Sequence, residues 1–153
     1  MLLLLFQAGG QLYGLDTGPV MEVAPYPECT PLARAPAYVS GLAQWRGHTV
    51  PVIDLSALID GTPAAPLLST RLIVVEYVQR DGQSQALGLV AEKAVEILQV
   101  DARECEPSKV GVPEAPYLNG TLEQGGRLIH RVSVKELLPA SVQEILFPRA
   151  EAT

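Results

Sequence analysis

Two segments of the chain share one pattern: YVSGLAQWRGHTVPVIDLSALI at residues 38–59 and YLNGTLEQGGRLIHRVSVKELL at residues 117–138. Each segment reads as a strand, a glycine turn, a second strand and a short helix. A shift of 79 positions aligns them without a gap. The aligned glycines are Gly41 with Gly120 and Gly47 with Gly126. We therefore predict that the chain contains a duplicated structural unit.

Shorter matches outside these segments occur in the same order along the chain. They are Glu28-Cys29-Thr30-Pro31 with Glu104-Cys105-Glu106-Pro107, Gly14-Leu15 with Gly88-Leu89, and Glu22-Val23 with Glu96-Ile97. Many short apolar runs alternate with glycine and proline, and the run at residues 72–78 is the strongest strand signal. The pattern predicts a mainly β protein, and the duplication predicts two small barrels of about five strands each, packed side by side.

Composition excludes several classes of protein. The chain has 153 residues, of which 48% are hydrophobic and 18% charged, which is too apolar for a disordered chain. A net charge of -6 disfavours nucleic acids and anionic membranes as partners. The apolar run at residues 1–6 lacks the basic flank of a signal peptide and predicts a buried strand. Two cysteines without an export signal predict reduced thiols, so we expect a cytoplasmic protein that does not insert into membranes.

Features that both copies share are predicted to be structural. Gly47, Gly120 and Gly126 are predicted to supply turns or a close approach of the backbone. Asp54 aligns with Ser133, and both are good N-cap residues for the short helix that follows. Two capping boxes are predicted, one at Ser133 and one at Ser141.

Features that only one copy carries are predicted to be functional. The hairpin tip of the first copy contains Trp45 and Arg46, whose places in the second copy are taken by Gln124 and Gly125. Tryptophan and arginine are the residue types most enriched at binding hot spots. We therefore predict that this tip contacts a partner; the alternative is that Trp45 fills the core and Arg46 is simply solvated.

One triplet in the sequence is compatible with a catalytic function. Asp16-Thr17-Gly18 is the triplet of aspartic proteases, whose mechanism needs a second aspartate, so a hydrolase centred on Asp16 would require a dimer. The remaining candidate nucleophiles and ligands do not stand at spacings typical of a zinc or Cys–His site; they are Cys29, Cys105, His48 and His130. We predict no metal, no cofactor and no enzymatic activity, and we favour a binding module.

Residues 41–55 carry a family resemblance. Their order, a glycine, a short apolar strand, Arg-Gly, and then Val-Pro-Val-Ile-Asp-Leu, resembles the signature of the CheW family of chemotaxis coupling proteins. Supporting matches run through most of the chain. The resemblance implies two tandem SH3-like five-stranded β-barrel subdomains packed side by side, with short helices after the hairpins and at the C-terminus.

The resemblance also implies domain boundaries. It places a single CheW-like domain at residues 1–140, with subdomains at about 14–82 and 83–140, and a C-terminal helix and tail at 141–153. Exchange of the strand at residues 2–8 between the subdomains is a variant of this arrangement.

The function implied by the resemblance is a non-enzymatic scaffold in the cytoplasm, recruited to receptor arrays. Such a scaffold couples the cytoplasmic tip of a methyl-accepting chemoreceptor to the regulatory domain of a CheA-type histidine kinase. The receptor lies in the groove between the barrels, and the kinase's own CheW-like domain docks end to end on the first barrel. The positions expected to contact the receptor are Val23, Val39, Gly41, Trp45, Arg46 and Val90.

The sequence departs from the family pattern at several places. Gln44-Trp45 stands where Asn-Leu is usual, and Ala91-Glu92 stands where Val-Asp is common. These departures favour a specialised array, such as one that governs surface sensing or pili. A CheW-like regulator of some other partner is the second alternative that the sequence leaves open.

Overall fold

The computed structural model of the protein describes residues 1–107 and 113–148. Within those ranges the chain is mainly β, which confirms the predicted fold class. No helix among the described residues is long and apolar enough to cross a membrane. The strands are β1 (Leu2–Ala8), β2 (Gln11–Asp16), β3 (Val20–Pro25), β4 (Val39–Trp45), β5 (His48–Asp54), β6 (Arg71–Val78), β7 (Ser84–Gln99), β8 (Glu106–Pro107), β9 (Leu118–Gln124) and β10 (Arg127–Val132). The helices are α1 (Leu55–Asp60) and α2 (Ala140–Leu146), with 3₁₀ turns at Ala102–Glu104 and Val134–Glu136.

The strands form two curved sheets that share the long strand β7. In the first sheet the order is β3, β6, the first half of β7, β5 and β4. In the second sheet it is the second half of β7, β1, β2, β10, β9 and β8. Among the described residues no strand pairing joins the two outer strands of either sheet, so each is an open, barrel-like sheet.

The strands are paired in the same way in the two sheets, but equivalent strands occur in a different order along the chain. In the first sheet β5 runs parallel to β7, with Val52 opposite Gly88. In the second sheet β10 runs parallel to β2, with Arg131 opposite Gly14. Strands β1 and β2 therefore take in the second sheet the places that β6 and the first half of β7 take in the first. This explains why the Gly-Leu pairs match although one lies near the start of the chain.

Hydrogen bonding joins residues 84–91 to the first sheet and residues 2–16 to the second. The subdomain limits inferred from the sequence, about 14–82 and 83–140, follow chain order and stay a prediction. Order along the chain does not decide which strands pair, because a strand pairs wherever its buried faces are covered.

Both faces of the central strands are buried. On β1, Leu4 and Phe6 belong to one cluster, which also contains residues of the first sheet, whereas Leu3 and Leu5 fill the interior of the second sheet. On β6 the alternation is repeated, since Ile73, Val75 and Tyr77 join the shared cluster and Leu72 and Val74 fill the interior of the first sheet. We call the shared group the interface cluster. The apolar runs in the sequence follow from this double burial.

The helix ends match the sequence analysis at only one of three places. The Asp54 carboxylate accepts hydrogen bonds from the backbone N–H of Ala57 (3.2 Å) and of Ala64 (2.9 Å), so it caps α1 and also anchors the loop that follows. The predicted capping boxes are wrong. Ser133 makes no side-chain cap and begins only a 3₁₀ turn. Helix α2 starts after Pro139, whose carbonyl accepts the first helical hydrogen bonds, so Ser141 lies inside the helix.

Candidate partner-binding site

The β4–β5 hairpin ends in a two-residue turn that strains its first residue. Trp45 and His48 are paired, and the residues between them have positive φ angles, 48° for Arg46 and 79° for Gly47. Such a turn suits the twist of a hairpin, but a non-glycine residue in the left-handed region costs roughly 1–2 kcal/mol. The equivalent turn of the second copy avoids this cost, because Gly125 stands there with a φ angle of 60°.

Glu22 on β3 holds both side chains of the tip. Its carboxylate accepts a hydrogen bond from the Trp45 indole N–H at 2.7 Å and another from the Arg46 guanidinium at 2.6 Å. The guanidinium carbon lies 5.4 Å from the centre of the indole ring, within the range of a cation–π contact. We call these three residues the clamp. The Arg46 side chain is 67% exposed, so the clamp orients the cation without covering it.

The clamp sets the charge state of Glu22. The hydrogen bond from Arg46, followed by that from Trp45, lowers the pKa of the Glu22 carboxyl below its ordinary value. The lowered pKa extends the ionised state of the Glu22 carboxylate to more acidic pH. This surface then presents an exposed cation and an indole ring beside a carboxylate whose acceptor sites are partly occupied.

A lowered pKa predicts that acid releases the clamp. The ionised form of Glu22 is stabilised in the folded protein, so its contribution is present above the unfolded value of 4.5 and is lost as the pH falls through the lower folded value. Trp45 is the only tryptophan, so its fluorescence reports the change. We expect its emission to shift with a midpoint below 4.5 during a titration from about pH 6 to about pH 3.

Two variants make this titration decisive. Glu22→Gln should lack the transition, because the amide does not titrate. Glu96→Gln is the matched control and should keep it, since Glu96 occupies the equivalent position in the second sheet, opposite Leu5. A midpoint at or above 4.5, or an unchanged transition in Glu22→Gln, would contradict the lowered pKa.

The second sheet contains a weaker form of the same contact. The Glu96 carboxylate lies 3.5 Å from the guanidinium of Arg127, which begins β10 in the second hairpin. No indole takes part, because Gln124 stands in place of Trp45. Glu22 was not among the site residues predicted from the sequence. The signal was present in the match of Glu22-Val23 with Glu96-Ile97, but only the structure shows that β3 passes beside the hairpin tip.

A groove runs beside the clamp along the first sheet. Its volume is about 570 Å³, and it lies between the β4–β5 hairpin, the start of β7 and the residues that follow α2. Its apolar lining includes Met21, Trp45, Pro51, Ala86 and Phe147. Met21 is 46% exposed, so the groove has an apolar wall that is open to solvent. A groove with one apolar wall, which shares Trp45 with the clamp, suits a protein segment better than a small polar ligand.

The structure separates the other residues expected at the site. Val23 is exposed and follows Glu22 on β3, so it lies on the opposite face of the strand from the clamp carboxylate. Val39 packs partly against the interface cluster at the start of β4, at the opposite end of that strand from Trp45. Val90 is 1% exposed and lies in the interior of the first sheet, where no partner can contact it in this conformation.

Gly41 is buried as well, and its backbone explains the need for glycine. Its φ angle is 129°, and a Cβ atom placed on it would overlap the backbone carbonyl of Thr30. Thr30 and Leu42 exchange two backbone hydrogen bonds of 2.8 Å at this point. Gly120 stands at the equivalent place, where a Cβ would lie 2.7 Å from the Glu106 carbonyl oxygen. Both glycines allow a crossing segment to approach β4 or β9.

Asp16 is occupied in a turn. Its carboxylate accepts the backbone N–H of Gly18 at 3.0 Å and lies 3.6 Å from the Arg131 guanidinium.

Burial raises the pKa of the Cys29 thiol, which weakens it as a nucleophile at neutral pH. Within residues 1–107 and 113–148 no group of three or more histidine, cysteine or acidic side chains is placed to hold a metal ion.

Comparisons with known proteins agree with this architecture. A family model described as a CheW-like domain matches residues 2–142. The chemotaxis protein CheW of Rhizobium meliloti (strain 1021) is 28% identical over 144 residues, covering 93% of this chain and 90% of that protein. CheW of Klebsiella aerogenes is 29% identical over 137 residues, covering 88% of this chain and 80% of the relative.

A solved structure shows the same fold. The crystal structure of the scaffolding protein TtCheW from Thermoanaerobacter tengcongensis superimposes with a TM-score of 0.80 and 25% sequence identity, and covers 95% of this chain and 97% of that one. The two barrel-like sheets fit the SH3-like barrels expected of the fold, although the sheets here are not closed. With the family model extending over nearly the whole chain, this protein belongs to the CheW-like family.

Proposed function

We propose that the protein is a non-enzymatic adaptor of a bacterial chemosensory array. It couples the cytoplasmic tip of a methyl-accepting chemoreceptor to the regulatory domain of a CheA-type histidine kinase. The observation that carries this proposal is the match to the CheW-like domain over residues 2–142, in a chain whose hairpin tip exposes the Arg46 guanidinium beside the half-buried Trp45. The hydrolase built on Asp16 is not favoured, because that carboxylate is held within its own turn.

The receptor contact is proposed at the clamp and the groove beside it. Arg46 and Trp45 provide a cation and an aromatic surface, and Glu22 holds them in one orientation. A side chain that is already ordered loses less conformational entropy when a partner binds. Met21 extends the surface with an exposed apolar side chain, whereas Val23 lies on the opposite face of β3 from Glu22 and is left out. Gly41 and Val90 are left out of the contact surface because both are buried.

The rest of the groove suits a helical or extended segment of a receptor. Its apolar wall supplies the buried centre that an interface needs, and the clamp supplies a polar rim at one end. Interfaces of this kind bury about 1,200–2,000 Å² in total. The kinase contact is proposed for the first sheet as well, where the kinase's own CheW-like domain docks end to end, and no residues are assigned to it.

One binding experiment tests the proposal. The purified protein is titrated separately with the regulatory domain of a CheA-type kinase and with a fragment of the receptor tip encoded in the same genome. We expect measurable affinity for both, and a ternary complex on gel filtration. No affinity for any kinase and receptor pair of the host would reject the adaptor function.

A second function, regulation of a partner outside a receptor array, predicts a different outcome. The protein would then bind neither component, and no genes for a kinase and a receptor would lie beside its own. Binding to the kinase without binding to the receptor would contradict both this second function and receptor coupling.

A further inference from the structure

The duplication allows the interiors of the two sheets to be compared position by position. Most aligned interior side chains are buried and apolar in both copies, as in the pairs Ala43 with Leu122 and Val50 with Ile129. Two positions differ. Val52 and Val90 of the first sheet are replaced by Arg131 and Asp16 in the second.

The strand register shows that these positions are equivalent. Val52 and Arg131 each lie opposite a glycine of the neighbouring parallel strand. Val90 and Asp16 follow that glycine by two residues, so they occupy the same face of their strands. In the first sheet both valines are at most 1% exposed and belong to the interior cluster. In the second sheet a guanidinium and a carboxylate lie 3.6 Å apart instead, on side chains that are 28% and 42% exposed.

The stability of the fold does not account for this replacement. An ion pair between partly exposed side chains contributes little to stability, and an apolar pair in its place is often at least as stabilising. The two valines of the first sheet indicate that this arrangement of strands accepts the apolar pair. The charges therefore point to a function that only the second sheet has.

A cavity of about 240 Å³ lies at this ion pair. Its charged lining consists of two carboxylates and two cations, from Asp16, Glu76, Arg131 and Lys135. Glu76 comes from β6 of the first sheet, so the cavity lies where the two sheets meet. The lining also includes apolar side chains, among them Val78, which is 46% exposed.

Polar groups of the lining retain hydrogen-bonding capacity. The separation of 3.6 Å between Arg131 and Asp16 is longer than a hydrogen bond. Ser133 also lines the cavity, and its side chain does not cap the 3₁₀ turn that follows. A guanidinium binds a carboxylate through two parallel hydrogen bonds, and a carboxylate accepts hydrogen bonds from an ammonium group. The adjacent guanidinium and carboxylate can therefore hold a carboxylate and an ammonium group side by side.

We propose that this cavity binds a free α-amino acid with an apolar side chain. The two charged groups of an α-amino acid are attached to one carbon atom, which matches the adjacent guanidinium and carboxylate of the cavity. Arg131 binds the ligand's carboxylate, Asp16 and Glu76 accept hydrogen bonds from its ammonium group, and Val78 contacts its side chain. The balanced charge of the lining favours such a zwitterion over a ligand of one sign.

The size of the cavity agrees with this class of ligand. Pockets for drug-sized molecules usually have volumes of about 300–1,000 Å³, so a smaller pocket suits a smaller molecule. The site goes beyond the adaptor function and does not depend on it. 

Isothermal titration calorimetry of the purified full chain with L-leucine tests the proposal. We expect saturable binding with a Kd below about 1 mM. Two analogues each lack one charge: 4-methylpentanoate has no ammonium group, and 3-methylbutylamine has no carboxylate. Each should bind at least about tenfold more weakly than L-leucine. Because this protein is titrated alone, loss of kinase or receptor binding would refute the adaptor function without changing this result.

Three variants locate the site. Asp16→Val with Arg131→Val copies the apolar pair of the first sheet, so it should abolish leucine binding and leave Tm unchanged or higher. Arg131→Gln is a smaller change and should weaken leucine binding at least about tenfold. Arg127→Gln is the matched control on the same strand, because Arg127 pairs with Glu96 instead. It should change the affinity less than about twofold.

Any of three results would overturn the proposal. The first is no measurable binding of L-leucine, L-valine or L-methionine at about 10 mM. The second is wild-type affinity for L-leucine in Arg131→Gln or in the double valine variant. The third is binding of 4-methylpentanoate as tight as that of L-leucine, since the ammonium group would then not be recognised and the ligand would be a simple carboxylate.

Discussion

Arg46→Gly is expected to leave the protein at least as stable as the wild type and to remove most of its affinity for the receptor tip. The two effects have separate causes. Glycine adopts the left-handed turn without strain, as Gly125 does at the equivalent place, so the turn gains roughly 1 kcal/mol. The substitution also removes the exposed guanidinium, which Glu22 orients towards solvent. Truncation of an arginine at a hot spot lowers affinity at least about tenfold.

Arg46→Ala separates strain from recognition. Alanine removes the same guanidinium but keeps the cost of a positive φ angle, so it should bind as weakly as the glycine variant and unfold at a lower temperature. Arg127→Ala is the control, because Arg127 pairs with the equivalent glutamate on the second sheet. Binding is measured by titration with the receptor fragment, and Tm by calorimetry. Unfolding of Arg46→Gly would show that Arg46 is structural, and wild-type affinity in both variants would show that its guanidinium does not contact the receptor.

Phe6→Ala is expected to cost about 3–5 kcal/mol of unfolding free energy. Phe6 is 0% exposed and packs in the interface cluster, where it stacks on Tyr13 at a centroid distance of 5.6 Å. The surrounding side chains belong to both sheets, so they cannot move into the cavity without shifting one sheet against the other. A cavity that fails to collapse keeps the full penalty.

Urea denaturation with two probes tests this prediction. Trp45 fluorescence reports the first sheet, and far-ultraviolet circular dichroism reports the whole chain. Because the interface cluster joins the sheets, we expect both probes to show one transition, shifted to lower urea in Phe6→Ala. Leu2→Ala is the control on the same strand, since Leu2 is 45% exposed, and should shift the midpoint little. Two separate transitions, or a small effect of Phe6→Ala, would mean that the sheets fold independently.

Much of the architecture could be inferred from local patterns. The turn at Gly47, the buried run at residues 1–6 and the duplication are properties of neighbouring residues, so they are visible in the chain itself. The cap at Asp54 is local in the same sense. The wrong capping boxes show the limit of such patterns, because Pro139 and the packing around Val134 decide where those turns begin.

The site could be inferred only in part. Trp45 and Arg46 stood out because the second copy lacks them, and this comparison needs no structure. Their partner Glu22 lies 24 residues from Arg46 along the chain, and only the path of β3 brings the carboxylate to the hairpin tip. The burial of Val90 was equally hidden, since an apolar residue on a strand reads the same on an inner face as on an outer one.

The sequence by itself determined the strands, their turns, the duplication and the unmatched tip, because hydrophobic period and turn chemistry act over a few residues. The tertiary structure alone decided that β1 and β2 complete the second sheet, that Glu22 clamps the tip, and that the Glu92 carboxylate accepts the backbone N–H of Ala65 from a distant loop. These features depend on contacts between residues far apart in the chain. Such contacts form only when all the buried faces are satisfied together, and no local pattern records them.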